Sequence, residues 1–124
     1  MNPHDASARE LKHGDVVRVF NSRGAFLASL DVTEHLRPGV VQVATGAWYD
    51  PVCDGAPGSL EKHGNPNVVT SDGGTSQLAQ GSVVQTALVQ VEKCESPPTV
   101  TAYEPPAIEQ AGHESADAGA LQEL

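Results

Sequence analysis

The chain of 124 residues has few bases: seven Lys and Arg stand against 16 Asp and Glu, for a net charge of −9. This shortage of positive charge argues against a nucleic-acid binder, which needs a basic stripe along the phosphates. It also argues against attachment to anionic lipid. No apolar run approaches the roughly 20 residues of a membrane-spanning helix, and no signal peptide opens the chain. The composition therefore predicts neither a nucleic-acid partner nor a membrane partner.

Cysteines and aromatic residues are also scarce. Cys53 and Cys94 lie far apart with no CxxC spacing, which is too little for a disulfide scaffold. Lys93 beside Cys94 is the only basic neighbour that could activate a thiol, so both thiols are predicted to be inert. The aromatic residues are Phe20, Phe26, Trp48, Tyr49 and Tyr103. A chain of this length makes one domain, whose core must consist mainly of Val, Leu and Ala.

The negative charge is concentrated toward the end of the chain. Residues 1–91 carry a net charge of −3 and residues 92–124 a net charge of −6. The later segment also contains four prolines and few large apolar side chains, so it buries too little apolar surface to offset chain entropy. We therefore expect a folded domain over residues 2–106 and an acidic, disordered tail over residues 107–124.

Most of the body is predicted to be strand. Dense β-branched content indicates a strand over Asp15–Phe20, and the turn at Asn21–Gly24 leads into an alternating strand, Ala25–Val32, to complete a hairpin. Further strands are predicted at Val40–Thr45 and Ser82–Val91. Because strands that are apolar on both faces need cover on both sides, the pattern favours a small closed barrel.

Helices are predicted to be few and short. Asn2 and Pro3 offer a cap and a first helical position for a helix over Pro3–Leu11. A short helical run is predicted at Ser76–Gln80. The stretch Asp50–Pro66 is rich in proline and glycine and is predicted to be a long loop, a length at which loops are often functional.

Generic catalytic and metal-binding motifs are not found. The five histidines show no HxH, HExxH or Cys–His spacing, so a structural zinc site is not predicted. Residues 74–78 lack the second glycine of a nucleophile elbow. The glycine-rich stretch 72–76 could hold an anion with its backbone N–H groups, but a plain turn is the interpretation we favour. Residue chemistry alone thus indicates a small acidic β domain of unknown role.

Three segments together resemble one protein family. They read GDVVRVFNSRG over residues 14–24, RPGVVQVATGAWYDP over 37–51 and HGNPNVVT over 63–70, with further matches at 74–80 and 100–106. In this order they are similar to the C-terminal, molybdopterin dinucleotide-binding domain of the molybdopterin oxidoreductases. The branch that the chain resembles is that of the dimethyl sulfoxide, trimethylamine N-oxide and biotin sulfoxide reductases.

The resemblance implies a mainly β fold, a double-psi β-barrel with short helices, that binds molybdopterin guanine dinucleotide (bis-MGD in the whole enzyme). The metal and its ligands would lie on domains earlier in the chain, so no residue of this chain is expected to bind the metal. The chain would then be a cofactor-binding module of a molybdenum-dependent S-oxide or N-oxide reductase, not catalytic alone. Members of the family occur in cytoplasm and periplasm, so the compartment stays open.

The resemblance also places the cofactor contacts on Asn67, Val84 and Gln85. The carboxamides of Asn67 and Gln85 each offer a donor and an acceptor, as the edge of a pterin does, and Val84 would contribute through its backbone. Two alternatives remain open. Asn67 could cap the turn after Pro66, and Gln85 could be a solvated strand residue.

One departure from the family concerns the beginning of the domain. Family domains begin some tens of residues earlier, with a strand and a loop that carry further cofactor contacts. We therefore expect the barrel to lack its first strand, which would leave an unpaired edge for self-association. The expected partners are the missing catalytic domains of the reductase. The competing hypothesis is a structural or protein-interaction remnant that no longer binds the cofactor.

Overall fold

The computed structural model describes residues 1–83 and 87–102. Within them the regular elements are helix α1 (Pro3–Ser7), strands β1 (Val16–Phe20), β2 (Ala25–Ser29) and β3 (Gln90–Lys93), and a 3-10 helix (Pro66–Val69). The predicted mainly β class is confirmed. Closure into a double-psi barrel, a missing first strand and the domain limits stay predictions, and the expected tail lies outside the described residues.

The three strands form one antiparallel sheet in the order β2-β1-β3. Val17 and Val19 alternate with Arg18 along β1, as the period of a strand requires, and both valines are buried. Opposite Val19 on β2 lies Phe26, which is fully buried. The same core contains Leu11, which precedes the hairpin in the sequence, and Val69, which follows it. The core therefore lies on one face of the hairpin.

The turn of the hairpin is fastened to the 3-10 helix. The Asn21 side chain donates one hydrogen bond to the Val69 carbonyl (2.8 Å) and another to the Leu88 carbonyl (3.1 Å). On the same turn, a Cβ added at Gly24 would lie 2.7 Å from the Val68 carbonyl oxygen. Only glycine leaves room for this close approach of two backbones. The hairpin thus sets the position of the 3-10 helix.

Short bridges extend the sheet beyond β2. Glu61 pairs in parallel with β2, since the Leu27 N–H donates to the Glu61 carbonyl (2.8 Å) and the Glu61 N–H donates to the Ala25 carbonyl (3.0 Å). Pro51 in turn pairs antiparallel with Glu61. The stretch Asp50–Pro66, predicted to be a loop throughout, is therefore bridged to β2 at Glu61 and to itself between Pro51 and Glu61.

Two elements predicted in the first 45 residues differ from those in the structure. The helix predicted to reach Leu11 ends at Ser7. Glu10 adopts a left-handed backbone conformation (φ 56°), and burial of the next side chain, Leu11, competes with continuing the helix. The strand predicted at Val40–Thr45 is wrong, because residues 40–45 are irregular and pair with no strand in the described part of the chain. The left-handed glycines 39 and 46 turn the chain on both sides of this stretch.

Two elements predicted between residues 76 and 91 also differ from those in the structure. The helical run predicted at Ser76–Gln80 is wrong. Residues 75–81 form a tight hairpin-like turn, in which the Thr75 N–H donates to the Gly81 carbonyl (3.0 Å) and Gly74 bridges to Ser82. The hydroxyl groups here bond to nearby backbone, which favours turns over helices. Of the strand predicted at Ser82–Val91, the described residues form only its end, within β3. No helix in residues 1–83 and 87–102 is long and apolar enough to cross a membrane.

Candidate functional site

Asn67 lies in the 3-10 helix and presents its side chain to solvent. Asn65 caps this helix, because its side-chain oxygen accepts a hydrogen bond from the Asn67 N–H (3.0 Å). The Asn67 carbonyl accepts from the Thr70 N–H (3.4 Å) and from the Thr70 hydroxyl (3.0 Å). The capping role considered for Asn67 therefore belongs to Asn65. Within the described residues, the Asn67 carboxamide forms no hydrogen bond of its own.

A cleft of about 510 Å³ opens beside Asn67. Its walls are mostly apolar and include Val19 and Phe26 from the hairpin. Polar side chains also line it: Gln42, Thr45, Asn67 and Thr70. An apolar hollow with a few polar groups, within the usual range of roughly 300–1,000 Å³, is the typical form of a small-molecule site.

The irregular residues 40–45 separate this cleft from a second hollow. The second hollow has about 300 Å³ and is lined by Val17, Leu30 and Met1, among others, without reaching Asn67. Val41, Gln42 and Val43 line both hollows. We take the larger cleft as the candidate site, because it alone of the two contains the residue that the resemblance singled out.

The other two predicted contacts, Val84 and Gln85, lie outside the described residues. The described residues on either side of them are Val83 and Ala87, of which Ala87 lines the larger cleft together with Val89. Asn21 also bonds to the Leu88 carbonyl, next to the 3-10 helix. The structure therefore brings the segment 87–89 and Asn67 to one cleft.

A buried carboxylate organises the loop that precedes Asn67. Glu61 has 0% of its surface exposed. Its Oε1 accepts hydrogen bonds from the backbone N–H groups of Asp50 (3.1 Å) and His63 (2.9 Å). Its Oε2 accepts from those of Gly64 (2.7 Å) and Asn65 (2.6 Å). Four charge-assisted hydrogen bonds thereby compensate for the cost of burying this group.

A second buried acid, Asp50, connects the loop to the residues around position 100. Its carboxylate accepts hydrogen bonds from the Thr101 N–H (2.6 Å) and hydroxyl (2.9 Å), and the Lys62 ammonium lies 3.5 Å away. Burial acts to raise the pKa of Asp50, but the Thr101 hydrogen bonds and the Lys62 charge outweigh it and hold the pKa below its usual value. The residues around position 100 are therefore fastened beside the loop.

Sequence reasoning missed Glu61 and Asp50. Both lie in a stretch rich in proline and glycine that has no helical or strand periodicity, so the sequence pattern does not distinguish either of them from a solvated charge. The only hint was the position of Glu61 two residues before the His63-Gly64 pair, where a following glycine allows N–H groups to converge. Among residues 1–83 and 87–102, no group of three or more His, Cys, Asp or Glu side chains could hold a metal ion.

The sheet, the capped 3-10 helix and the cleft define a small, mainly β ligand-binding domain. A family model described as the molydopterin dinucleotide binding domain matches residues 1–88, and the chain belongs to this family. The resemblance drawn from the three segments is thereby confirmed. The chain is a molybdopterin dinucleotide-binding domain.

Several curated proteins are similar to the chain. Trimethylamine-N-oxide reductase 1 of Escherichia coli (strain K12) is 57% identical over 93 residues, which are 75% of this chain and 11% of that protein. Trimethylamine-N-oxide reductase of Salmonella typhi is 52% identical over 108 residues, 86% of this chain and 13% of the relative. Dimethyl sulfoxide/trimethylamine N-oxide reductase of Cereibacter sphaeroides is 47% identical over 107 residues, again 86% and 13%. The chain thus spans only about an eighth of the length of these relatives.

Proposed function

We propose that this chain is the molybdopterin guanine dinucleotide-binding module of a molybdenum-dependent S-oxide or N-oxide reductase, and that Asn67, Val84 and Gln85 contact the cofactor. The observation that carries the proposal is the state of Asn67. Its backbone is held by Asn65 before it and Thr70 after it, while its carboxamide stands exposed at the cleft. A side chain with a fixed base and an unengaged amide is prepared to bind a ligand.

The chemistry of the cleft suits a pterin. A flat heteroaromatic ring needs apolar surface against its face, which the partly exposed Val40, Val43 and Val89 provide. Its edge presents donors and acceptors together, and the Asn67 carboxamide can satisfy both. Thr70 adds a hydroxyl at the same cleft.

The bound cofactor would supply the metal centre at which an oxide substrate is reduced. This chain would supply binding and orientation. Because half of a cofactor pocket belongs to other domains in such an enzyme, the chain alone should bind weakly, since lost contacts lower affinity steeply.

An exposed apolar patch supports the proposal that the catalytic domains are the partner. Trp48 is 66% exposed, Tyr49 56% and Val52 48%, all within five positions of one loop. Large aromatic side chains of this exposure are enriched at protein interfaces. Self-association is the alternative. In the described part of the chain β3 pairs only with β1, so its other edge could pair with a second copy of the chain.

The direct test is a titration of the ¹⁵N-labelled chain with isolated molybdopterin guanine dinucleotide, followed by amide chemical shifts. Parallel titrations with pterin and with guanosine diphosphate separate the two halves of the cofactor. We expect the whole cofactor and pterin to shift the amide signals of Asn67 and its cleft neighbours, with guanosine diphosphate acting elsewhere. No shift near Asn67 or Gln85 at about millimolar ligand would count against the proposal. A chain that bound reductase domains but no nucleotide would instead be the structural remnant.

A further inference from the structure

Glu61 is the most deeply buried charged side chain in residues 1–83 and 87–102. None of the ion pairs in that part of the chain includes it; its partners are backbone N–H groups. Three of these four groups belong to consecutive residues, His63, Gly64 and Asn65, which immediately precede the 3-10 helix. Burying a charge without a counter-ion lowers the stability of the fold, so we expect a role that requires a carboxylate at this position.

We infer that Glu61 is a positioning residue for cofactor binding: it folds residues 63–65 around its carboxylate and thereby sets where Asn67 meets the cleft. This inference rests on the proposed role of Asn67. It assigns to Glu61 no contact with the cofactor itself.

The contacts run without a break from Glu61 to Asn67. The Glu61 carboxylate holds the Asn65 N–H at 2.6 Å. The Asn65 side chain holds the Asn67 N–H at 3.0 Å and so caps the 3-10 helix. At the other end of that helix, Val69 is buried and its carbonyl accepts from Asn21. The backbone of Asn67 therefore lies between two anchors, of which Glu61 controls the earlier one.

Gly64 makes this arrangement possible. Its φ of 101° lies in the left-handed region, where side chains are strained. At this conformation the successive N–H groups of Gly64 and Asn65 converge on the same carboxylate oxygen, Oε2 of Glu61. Concave arrangements of this kind bind anions, and here the anion is supplied by the chain itself.

Only a carboxylate satisfies all four donors. Each Glu61 oxygen accepts two N–H groups, from Asp50 and His63 at Oε1 and from Gly64 and Asn65 at Oε2. A glutamine has one carbonyl oxygen and one NH₂ group of the same shape. Whichever way the amide is turned, its NH₂ group faces two N–H donors. Glu61→Gln therefore keeps the volume and breaks one half of the cradle.

The test compares Glu61→Gln with two control variants of the full chain. Glu92→Gln makes the same chemical change at an exposed site that pairs with Arg18. Leu11→Ala removes core packing away from the loop and so lowers stability without touching the cradle. Each variant is examined for amide hydrogen exchange and then titrated with molybdopterin guanine dinucleotide, with affinities corrected for the folded fraction.

We expect Glu61→Gln to accelerate exchange at Asn65 and Asn67 relative to the rest of the core. We also expect it to weaken cofactor binding about tenfold, which is only part of what two lost hydrogen bonds to a charged group would cost, because Glu61 acts on Asn67 through the loop and not on the cofactor directly. Leu11→Ala should accelerate exchange throughout and leave the corrected affinity unchanged. Glu61→Asp keeps both carboxylate oxygens, so it should bind the cofactor more tightly than Glu61→Gln but less tightly than the wild type. It replaces Glu61→Gln in the comparison if that variant does not fold.

Three outcomes separate the possibilities. Wild-type affinity in both Glu61 variants would overturn the inference. An equal loss in Leu11→Ala would also overturn it, because general destabilisation would then explain the effect. If the wild-type chain bound no cofactor, the proposed function would fail, and the exchange rates at Asn65 and Asn67 would still decide whether Glu61 sets the loop.

Discussion

Replacing Gly24 by alanine tests whether the hairpin positions the 3-10 helix. The added Cβ would lie 2.7 Å from the Val68 carbonyl oxygen and 3.4 Å from the Val68 Cβ. The first distance is shorter than any ordinary contact, and the obstructing atom is backbone, so the hairpin turn and the helix must move apart. That movement also strains the hydrogen bond from Asn21 to the Val69 carbonyl, which is 2.8 Å long in the native chain.

The expected loss follows from these contacts. Overpacking a closely fitted site costs about 1–3 kcal/mol, out of a total stability of about 5–15 kcal/mol for a typical domain. Urea unfolding followed by far-ultraviolet circular dichroism measures it. Trp48 fluorescence is a poorer probe, because that side chain is already 66% exposed in the folded chain.

Gly73→Ala is the matched control. Its added Cβ would meet only the Ser71 hydroxyl, at 3.4 Å, which is an ordinary contact. Its stability should stay within about 0.5 kcal/mol of the wild type. If Gly24→Ala were equally neutral and left the amide signal of Asn67 in place, the close approach of the two backbones would be refuted.

Two further predictions concern charge and domain limits. Because the folded pKa of Asp50 is held below its usual value of 3.8, Asp50 stabilises the fold above about pH 4, and this contribution is lost as pH falls through the folded pKa. Asp50→Asn should therefore flatten the acid side of the stability–pH curve, and an unchanged curve would contradict the Thr101 contacts. Removal of residues 107–124 should leave the unfolding midpoint and the amide shifts of residues 2–106 unchanged, whereas a lowered midpoint would place the tail within the folded domain.

Local chemistry was enough to predict the hairpin. β-branched residues in β1, apolar residues in β2 and a turn with Asn and Gly between them predict the hairpin without any distant contact, although β2 ends at Ser29 and not at the predicted Val32. The helix start was also predictable, because Asn2 caps α1 through its own side chain. Its end was not, since burial of Leu11 depends on the core that forms later in the chain.

The errors have two causes: one segment lacks the strand partner that it needs, and the other is held by hydrogen bonds within a few residues. Val40–Thr45 has the composition of a strand but pairs with no strand in the part of the chain that the structure describes. The hydroxyl groups of Thr75 and Ser76 bond to the Ala79 carbonyl and close a turn where a helix was predicted. Propensity is a weak guide wherever such contacts compete with it.

The candidate site was likewise predictable only in part. Asn67 could be named from the HGNPN segment once the family resemblance was drawn. Glu61 could not, because its importance lies in four backbone N–H groups that converge only after residues 50 and 61–65 have folded together. A charged residue in a loop is solvated in most proteins, and the glycine three positions after Glu61 is too weak a signal to mark this one as buried.

The central claim is that the Asn67 carboxamide binds the cofactor, and its most direct test is the affinity of Asn67→Ala for molybdopterin guanine dinucleotide. Gln77→Ala removes an amide from an exposed turn elsewhere and serves as the control. With one or two hydrogen bonds of about 1 kcal/mol each at stake, Asn67→Ala should bind about 5- to 30-fold more weakly than the wild type. Gln77→Ala should bind as the wild type does. Equal affinity of Asn67→Ala and the wild type would contradict the account.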